Sequence, residues 1–339
     1  MIPSIRQHRN RNLDLLRILS MFMIVLLHSQ TFGIFHYGLP SGIHLFTLYL
    51  FRNLAIVASN CYVLISGYFL IKKGFNRKKV AYFAFEVSLY SAIIYLIMVI
   101  FTPLTFSILD FLHWVFVLFW GNYWFATLYL VLYLLSPFLN LFLKQLSQRQ
   151  FQQVLIGYFV IFSIWASFSQ LPILGMNEGY SILTFILLYL IGAYFQLYPL
   201  PFKWQSGWYL FYYFNSALGL TLYFFLVNYE DWMIYYHSPF VLLATISLFL
   251  FFKETHFKKT WGSALIPFIF GIYLIHEHPL VRTLLWEEWI PVYQISQYPL
   301  MNLILLGVSG LIFISCLLLS LPLHKLSTFL FDNLKRKLN

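Results

Sequence analysis

The first long apolar run of the chain, residues 12 to 35, carries Asp14, Arg17 and His28. A charge inside a hydrocarbon layer costs at least about 2.5–3.5 kcal/mol, so each is a candidate for function rather than packing. On an α-helix the eleven-residue step from Arg17 to His28 turns through about 1100°, three turns and about 20°. The two side chains therefore share one face, about 16.5 Å apart along the axis. Asp14, three residues before Arg17, can pair with it. An imidazole deep in such a segment needs a partner, and it is the side chain that trades protons near neutral pH, as general base catalysis requires. Arg17 alone has a second reading, a side chain snorkelling to an interface.

Other costly residues follow. Arg52 lies in the next apolar run and either pairs with a buried acid or meets a substrate. Glu86, in the third run, can answer Arg52 or the basic cluster at residues 72 to 79. Trp124, with Tyr123 and Phe125, suits an aromatic belt at a membrane interface or a surface on which a sugar stacks. His276 and His278 flank Glu277, a polar wall for an outward-facing cavity or an interfacial cluster. No zinc-helix His pair at i and i+4 occurs there, and no metal site is expected. Cys61 and Cys316 each sit in an apolar stretch, which predicts packing and no disulfide framework.

The elements that must hold these groups follow from composition. Of 339 residues, 61% are hydrophobic and 9% charged, too few polar groups to clothe a water-soluble core. A spanning helix takes about 20 apolar residues. Apolar runs predict spans near 12–35, 45–71, 80–102, 120–143, 151–170, 181–198, 207–228, 234–252, 263–281 and 299–322. The expected fold is all-α, a polytopic integral membrane protein with about ten transmembrane helices. Residues 110–119 are too short to span and read as an interfacial or re-entrant piece leading into the fourth span. The first run holds charges and lacks a small-residue cleavage site, which predicts a retained helix rather than a signal peptide.

Charge placement orients the bundle and excludes nucleic acid as the reason for a net charge of +10. With the N-terminus inside, the cytoplasmic loops and ends hold 18 of the 21 Lys and Arg: Arg6, Arg9, Arg11, Lys72, Lys73, Arg77, Lys78, Lys79, Lys144, Arg149, Lys203, Lys253, Lys258, Lys259, Lys325, Lys335, Arg336 and Lys337. Arg17, Arg52 and Arg282 are the rest, while Asp110, Glu178, Glu230, Asp231, Glu287 and Glu288 fall in outer loops. An even helix count returns the basic tail to the cytoplasm. Residues 1–323 are expected to form a membrane domain, and 324–339 a basic cytoplasmic tail on an anionic leaflet.

Several blocks resemble one known family. Arg11, Asp14, Leu16 and Arg17 followed by His28 are similar to the Arg-x-x-Asp-x-x-Arg start and Arg-x10-His motif of the type-3 acyltransferases, membrane-bound transferases that often O-acetylate envelope polysaccharides. Residues 60–69 (NCYVLISGYF), Tyr123-Trp-Phe through Phe138, and 270–276 (FGIYLIH) resemble the family's second-helix, fourth-helix and late blocks, in the same order. The resemblance implies that Arg17 and His28, with Asp14, form the donor-binding and catalytic set. It carries Arg52 over as an arginine ahead of the second-helix block; together with Glu86, Trp124 and His276, Arg52 makes up the expected substrate-binding residues. The family's Arg-x-x-Arg motif after the second helix is replaced here by KKGFNRKK (72–79), so Lys73, Arg77 and Lys78 stand for it as phosphate contacts.

The expected activity is O-acyl transfer, with acetyl-CoA as co-substrate at the cytoplasmic face and a hydroxyl of an envelope glycan or its lipid-linked precursor as acceptor, in a bacterial plasma membrane. His28 acts as base or as a transient acyl carrier, and Arg52 or a backbone amide as oxyanion donor. No extracellular esterase-like domain is expected, so the membrane domain completes transfer or passes the group on. Two rivals remain: a flippase for a lipid-linked saccharide, using the same intramembrane charges, and a nonenzymatic partner of a polysaccharide assembly. Acetyl transfer that depends on His28 excludes both.

Overall fold

A computed structural model describes residues 11–35, 37–169, 174–200, 205–227, 232–255, 257, 262–295, 298 and 300–338. Arg6, Arg9, Lys203, Glu230, Asp231, Lys258 and Lys259, counted above in the charge pattern, lie outside them. Among the described residues every regular element is helical. The fifteen α-helices in chain order are α1 (Arg11–Gln30), α2 (Gly42–Ala55), α3 (Ala58–Leu70), α4 (Arg77–Phe101), α5 (Ile108–Val115), α6 (Val117–Trp120), α7 (Trp124–Gln145), α8 (Gln148–Phe159), α9 (Ala166–Ser169), α10 (Ile182–Leu197), α11 (Ser206–Val227), α12 (Pro239–Glu254), α13 (Ile266–His276), α14 (Pro279–Thr283) and α15 (Met301–Leu338).

Seven helical stretches are long and apolar enough to cross a membrane: Arg11–Phe35, Gly42–Leu70, Arg77–Phe101, Trp124–Gln145, Gln148–Ser169, Ser206–Val227 and Met301–Lys337. The chain is a multi-pass membrane protein. Three other predicted spans coincide with the shorter α10, α12 and α13. At 1.5 Å per residue, the 11 residues of α13 reach only about 17 Å, against a hydrocarbon layer of about 30 Å. The interfacial piece appears as α5 and α6, of 8 and 4 residues, with Phe116, Phe119 and Trp120 exposed.

Interruptions fall where the chemistry is. The second predicted span is broken at residues 56–57, between α2 and α3. The ninth unwinds after His276: His278 has an extended backbone and caps α14, its ring accepting from the Leu280 N–H at 3.2 Å. A π-helical turn, Thr31–Phe35, follows His28 by three residues, an irregularity frequent at functional sites. α15 runs unbroken from Met301 through residues 324–338.

Close approaches build the centre. α3 and α10 cross at two glycines, where a Cβ on Gly67 would lie 2.4 Å from the Tyr189 carbonyl and one on Gly192 2.2 Å from the Leu64 carbonyl. Small residues at a crossing let backbones pack without bulk, the main source of cohesion between helices in lipid. α1 packs against α3, α13 and α15, which puts His28 beside the end of α13.

Candidate active site

The His28 ring is held at one nitrogen by two groups from the unwound end of α13. Its Nδ1 lies 3.0 Å from His276 Nε2 and 2.9 Å from Glu277 Oε2. The tautomers follow from what each partner can do. His276 Nδ1 is 2.6 Å from the Ile272 carbonyl, which only accepts, so Nδ1 carries the proton and Nε2 offers a lone pair. His28 Nδ1 therefore donates, and its Nε2 is left as the basic nitrogen. Glu277 Oε1 accepts from Arg282 at 2.9 Å, completing the line Arg282–Glu277–His28. His276 and Glu277 are buried, and His28 is 18% exposed at its side chain. The arrangement is that of a general base: an imidazole fixed in orientation, backed by a carboxylate that stabilises the imidazolium formed on proton uptake.

His28 lines the innermost of three adjoining cavities. That space, about 20 Å³, is bounded by His28, Tyr62, Trp124, Phe125, Phe270 and Tyr273, and has room for about one water. The buried Tyr273 hydroxyl, which meets the Phe125 backbone, has no side-chain hydrogen-bond partner among the described residues. Tyr62, Phe125 and Phe270 also wall a second cavity of about 260 Å³, which Arg17 and Glu86 line. Phe83, Glu86 and Tyr129 in turn are shared with a third, of about 470 Å³, lined by Lys78, Lys79 and Lys335. The row leads from a basic mouth, past Arg17, to His28. Arg17 NH1 is bonded to the buried Asp14 at 2.9 Å, and its guanidinium sits 5.4 Å from the Phe69 ring.

The predicted site residues divide accordingly. Asp14, Arg17, Lys78, Glu86, Trp124 and His276 all border these cavities or contact residues that do. Lys73 stands over the same Phe69 ring at 5.1 Å. Burial, followed by the nearby Lys79 and Arg17 charges, holds its pKa below the ordinary lysine value. Arg77 opens α4 and is exposed, apart from the cavity walls. Glu86 answers neither Arg52 nor the loop lysines: it accepts from Tyr82 at 3.2 Å and meets His324 Nδ1 at 2.6 Å. Arg52 lies away from the His28 cavity, its guanidinium 4.4 Å over Phe35, in a separate cavity of about 200 Å³ with Glu178, Tyr180, Tyr235 and Tyr236. Trp124 stands between the two, lining the His28 cavity and packing on Tyr180 and Tyr236 at 4.5 and 5.8 Å.

The family is decided by the sequence comparison, in which the model of an acyltransferase domain matches residues 10–324. The chain belongs to the type-3 acyltransferase family. That span takes in every residue of the row except those α15 contributes beyond 324, and it makes this protein a membrane acyltransferase. No curated protein and no solved structure matches the chain.

Glu277 and Arg282 were missed as site residues by sequence reasoning. Glu277 read as part of a polar wall or an interfacial cluster and Arg282 as a charge within or at the outer end of a span, and Arg282 is separated from His28 by more than 250 positions, with no periodic signal to link them. His276, Glu277 and His28 also place ligand atoms within 4.8 Å of one another, a spacing that a divalent ion could use. A bound ion would have to displace the Nδ1 proton of His28, for which His276 Nε2 is the acceptor.

Proposed function

We propose that this acyltransferase moves acetyl from acetyl-CoA, entering through the basic mouth, to a hydroxyl of an envelope glycan or its lipid-linked precursor arriving from the Arg52 end. The observation that carries the reading is the pair of groups at His28 Nδ1, beside the smallest of a row of cavities whose other end is basic. The CoA phosphates meet Lys78, Lys79 and Arg17 by charge pairing. The pantetheine arm then runs along the aromatic passage between Phe83 and Phe125, bringing the thioester to His28.

His28 Nε2 takes the proton of the acceptor hydroxyl as its oxygen attacks the thioester carbon. The C–S bond breaks, and the proton passes from His28 to the departing CoA sulfur. Glu277, backed by Arg282, stabilises the imidazolium between these steps. The Tyr273 hydroxyl donates to the carbonyl oxygen as negative charge grows there, a role that suits it better than Arg52, which Trp124 screens from His28. The acceptor sugar packs on Trp124, Tyr180 and Tyr236, and Arg52 holds it at the outer end.

The same reading places ten helices in a bacterial plasma membrane with both termini in the cytoplasm, supported by the basic residues gathered at one end of the bundle. Membranes containing the wild-type protein should incorporate labelled acetyl from acetyl-CoA into envelope glycan, and His28→Ala and Arg17→Ala at matched expression should not. Equal incorporation by all three would remove α1 from the chemistry. Acceptor movement without label, even in the wild type, would favour a flippase.

A further inference from the structure

The C-terminal part of α15 was expected to rest on the lipid surface. Instead it is bonded to α4 by a set of partly buried polar contacts. His324 Nδ1 meets Glu86 Oε1 at 2.6 Å, and the Tyr82 hydroxyl lies 2.9 Å from Ser327 Oγ and 3.1 Å from Thr328 Oγ1. Phe331 packs on Tyr82 and Phe85 at 5.3 and 5.6 Å. These contacts hold the last turns of α15 as one wall of the cavity of about 470 Å³, to which Phe331, Asp332 and Lys335 contribute. All three lie beyond residue 324, where the match to the acyltransferase domain stops.

The chemistry of that cavity is specific. Phe83, Tyr133 and Phe331 give flat apolar faces, and Lys78, Lys79 and Lys335 bring positive charge from two neighbouring helices, α4 and α15. Asp332, one turn before Lys335 on the same face of α15, supplies a carboxylate that accepts hydrogen bonds. Glu86, the other acid in the lining, is engaged by His324 and Tyr82. A stacking surface, several cations and one acceptor suit a phosphorylated purine nucleoside with an exocyclic amino group: the ring stacks, the amino group donates to Asp332, and the phosphate meets the lysines. The volume is within the range of small-molecule sites.

We infer that the C-terminal turns of α15 form the binding site for the 3′-phosphoadenosine end of the donor, with Lys335 and Lys78 on the 3′-phosphate and Phe331 on the adenine. The inference rests on the acetyl-CoA reading above and assigns the nucleotide-recognition residues within it.

Binding of acetyl-CoA and of its 3′-dephospho form to the full-length protein in detergent tests this. The wild type should prefer acetyl-CoA. Lys335→Ala should weaken acetyl-CoA by about tenfold, the scale of one charge-assisted hydrogen bond, while binding the dephospho form as the wild type does, so that the preference collapses. Lys335→Arg should restore part of it, and Phe331→Ala should weaken both ligands together. Arg336→Ala, on the exposed side of the helix, should change neither. Because each variant is judged by its own ratio of the two ligands, loss of folded protein does not imitate the result. An unchanged preference in Lys335→Ala would overturn the inference and leave the tail a role on anionic lipid, with the acetyl-CoA reading intact. Equal losses in Lys335→Ala and Arg336→Ala would overturn it too, as general attraction by a basic tail. Failure of the wild type to bind acetyl-CoA at all would overturn both readings.

Discussion

At the scale of single residues, the quantity that matters is the orientation and charge of one imidazole. His28 Nδ1 has a neutral acceptor in His276 and a carboxylate in Glu277, and these act differently. Removing the charge with Glu277→Gln leaves a side chain of the same shape but withdraws stabilisation from the imidazolium. The rate of acetyl transfer at saturating donor should fall by about 10²-fold or more, the lower range for a positioned acid–base group, with donor KM little changed. Arg282→Ala should fall less, since it acts on His28 only through Glu277; a larger loss than in Glu277→Gln would give Arg282 a role of its own with substrate. On the proposed mechanism His276 and Glu277 act through His28, so their variants should still bind acetyl-CoA. The metal alternative is separated by removal: dialysis against a strong chelator should leave transfer unchanged, and loss restored by a divalent ion would make His28, His276 and Glu277 ligands instead.

At the scale of elements, the site depends on irregular backbone. α13 ends at His276, and its C-cap Glu277 still donates its N–H to the Tyr273 carbonyl; the backbone leaves the helical path at His278, and a helix continued from there would carry Arg282 to another face of the cylinder than Glu277. The π-helical turn after His28 and the break between α2 and α3 lie beside the cavities in the same way. What fixes the frame around them is close packing, above all where α3 meets α10. Gly67 and Gly192 face backbone carbonyls, which cannot swing aside as a side chain end can. Gly192→Ala should therefore cost about 1–3 kcal/mol, the range for overpacking, read as a lower melting temperature in detergent and a smaller yield of folded protein. Wild-type stability in that variant would mean that the two helices slide apart freely.

At the scale of the whole molecule, one end is basic and the other carries Arg52, Glu178 and three tyrosines, with Trp124 between them. Two substrates of unlike polarity can thus approach His28 from opposite sides without sharing a path. Cysteine labelling checks the sidedness, and the native Cys61 and Cys316, 0% and 6% exposed, leave a low background. In intact cells an impermeant maleimide should label Glu178→Cys and spare Lys78→Cys, with the reverse in inverted vesicles. The opposite pattern would invert the orientation and place the donor outside. Trp124→Ala should open the partition and raise acetyl-CoA hydrolysis in the absence of acceptor. Unchanged hydrolysis would remove Trp124 as the barrier.

By itself, the sequence determined what depends on solvent and on local period. Hydropathy marked the long helices, because lipid demands about 20 apolar residues for each crossing. The 3.6-residue repeat placed Arg17 and His28 on one face, and the spacing of Asp14 and Arg17 allowed their pair, whose bond is 2.9 Å. The run of motifs from Arg11 to His276 carried the family. Tertiary structure alone decided what joins groups distant in the chain. Glu277 and Arg282 come to His28 through an unwound helix end, which hydropathy reads as a continuous span because it sums side chains and not backbone hydrogen bonds. Glu86 found His324 on α15 rather than Arg52, and Arg52 fell behind Trp124, because depth along a helix says nothing of which neighbour it faces. The C-terminal residues of α15 gave no sign in sequence of what they pack on, and the contacts of Ser327 with Tyr82 and of His324 with Glu86 tie that part of the helix to α4.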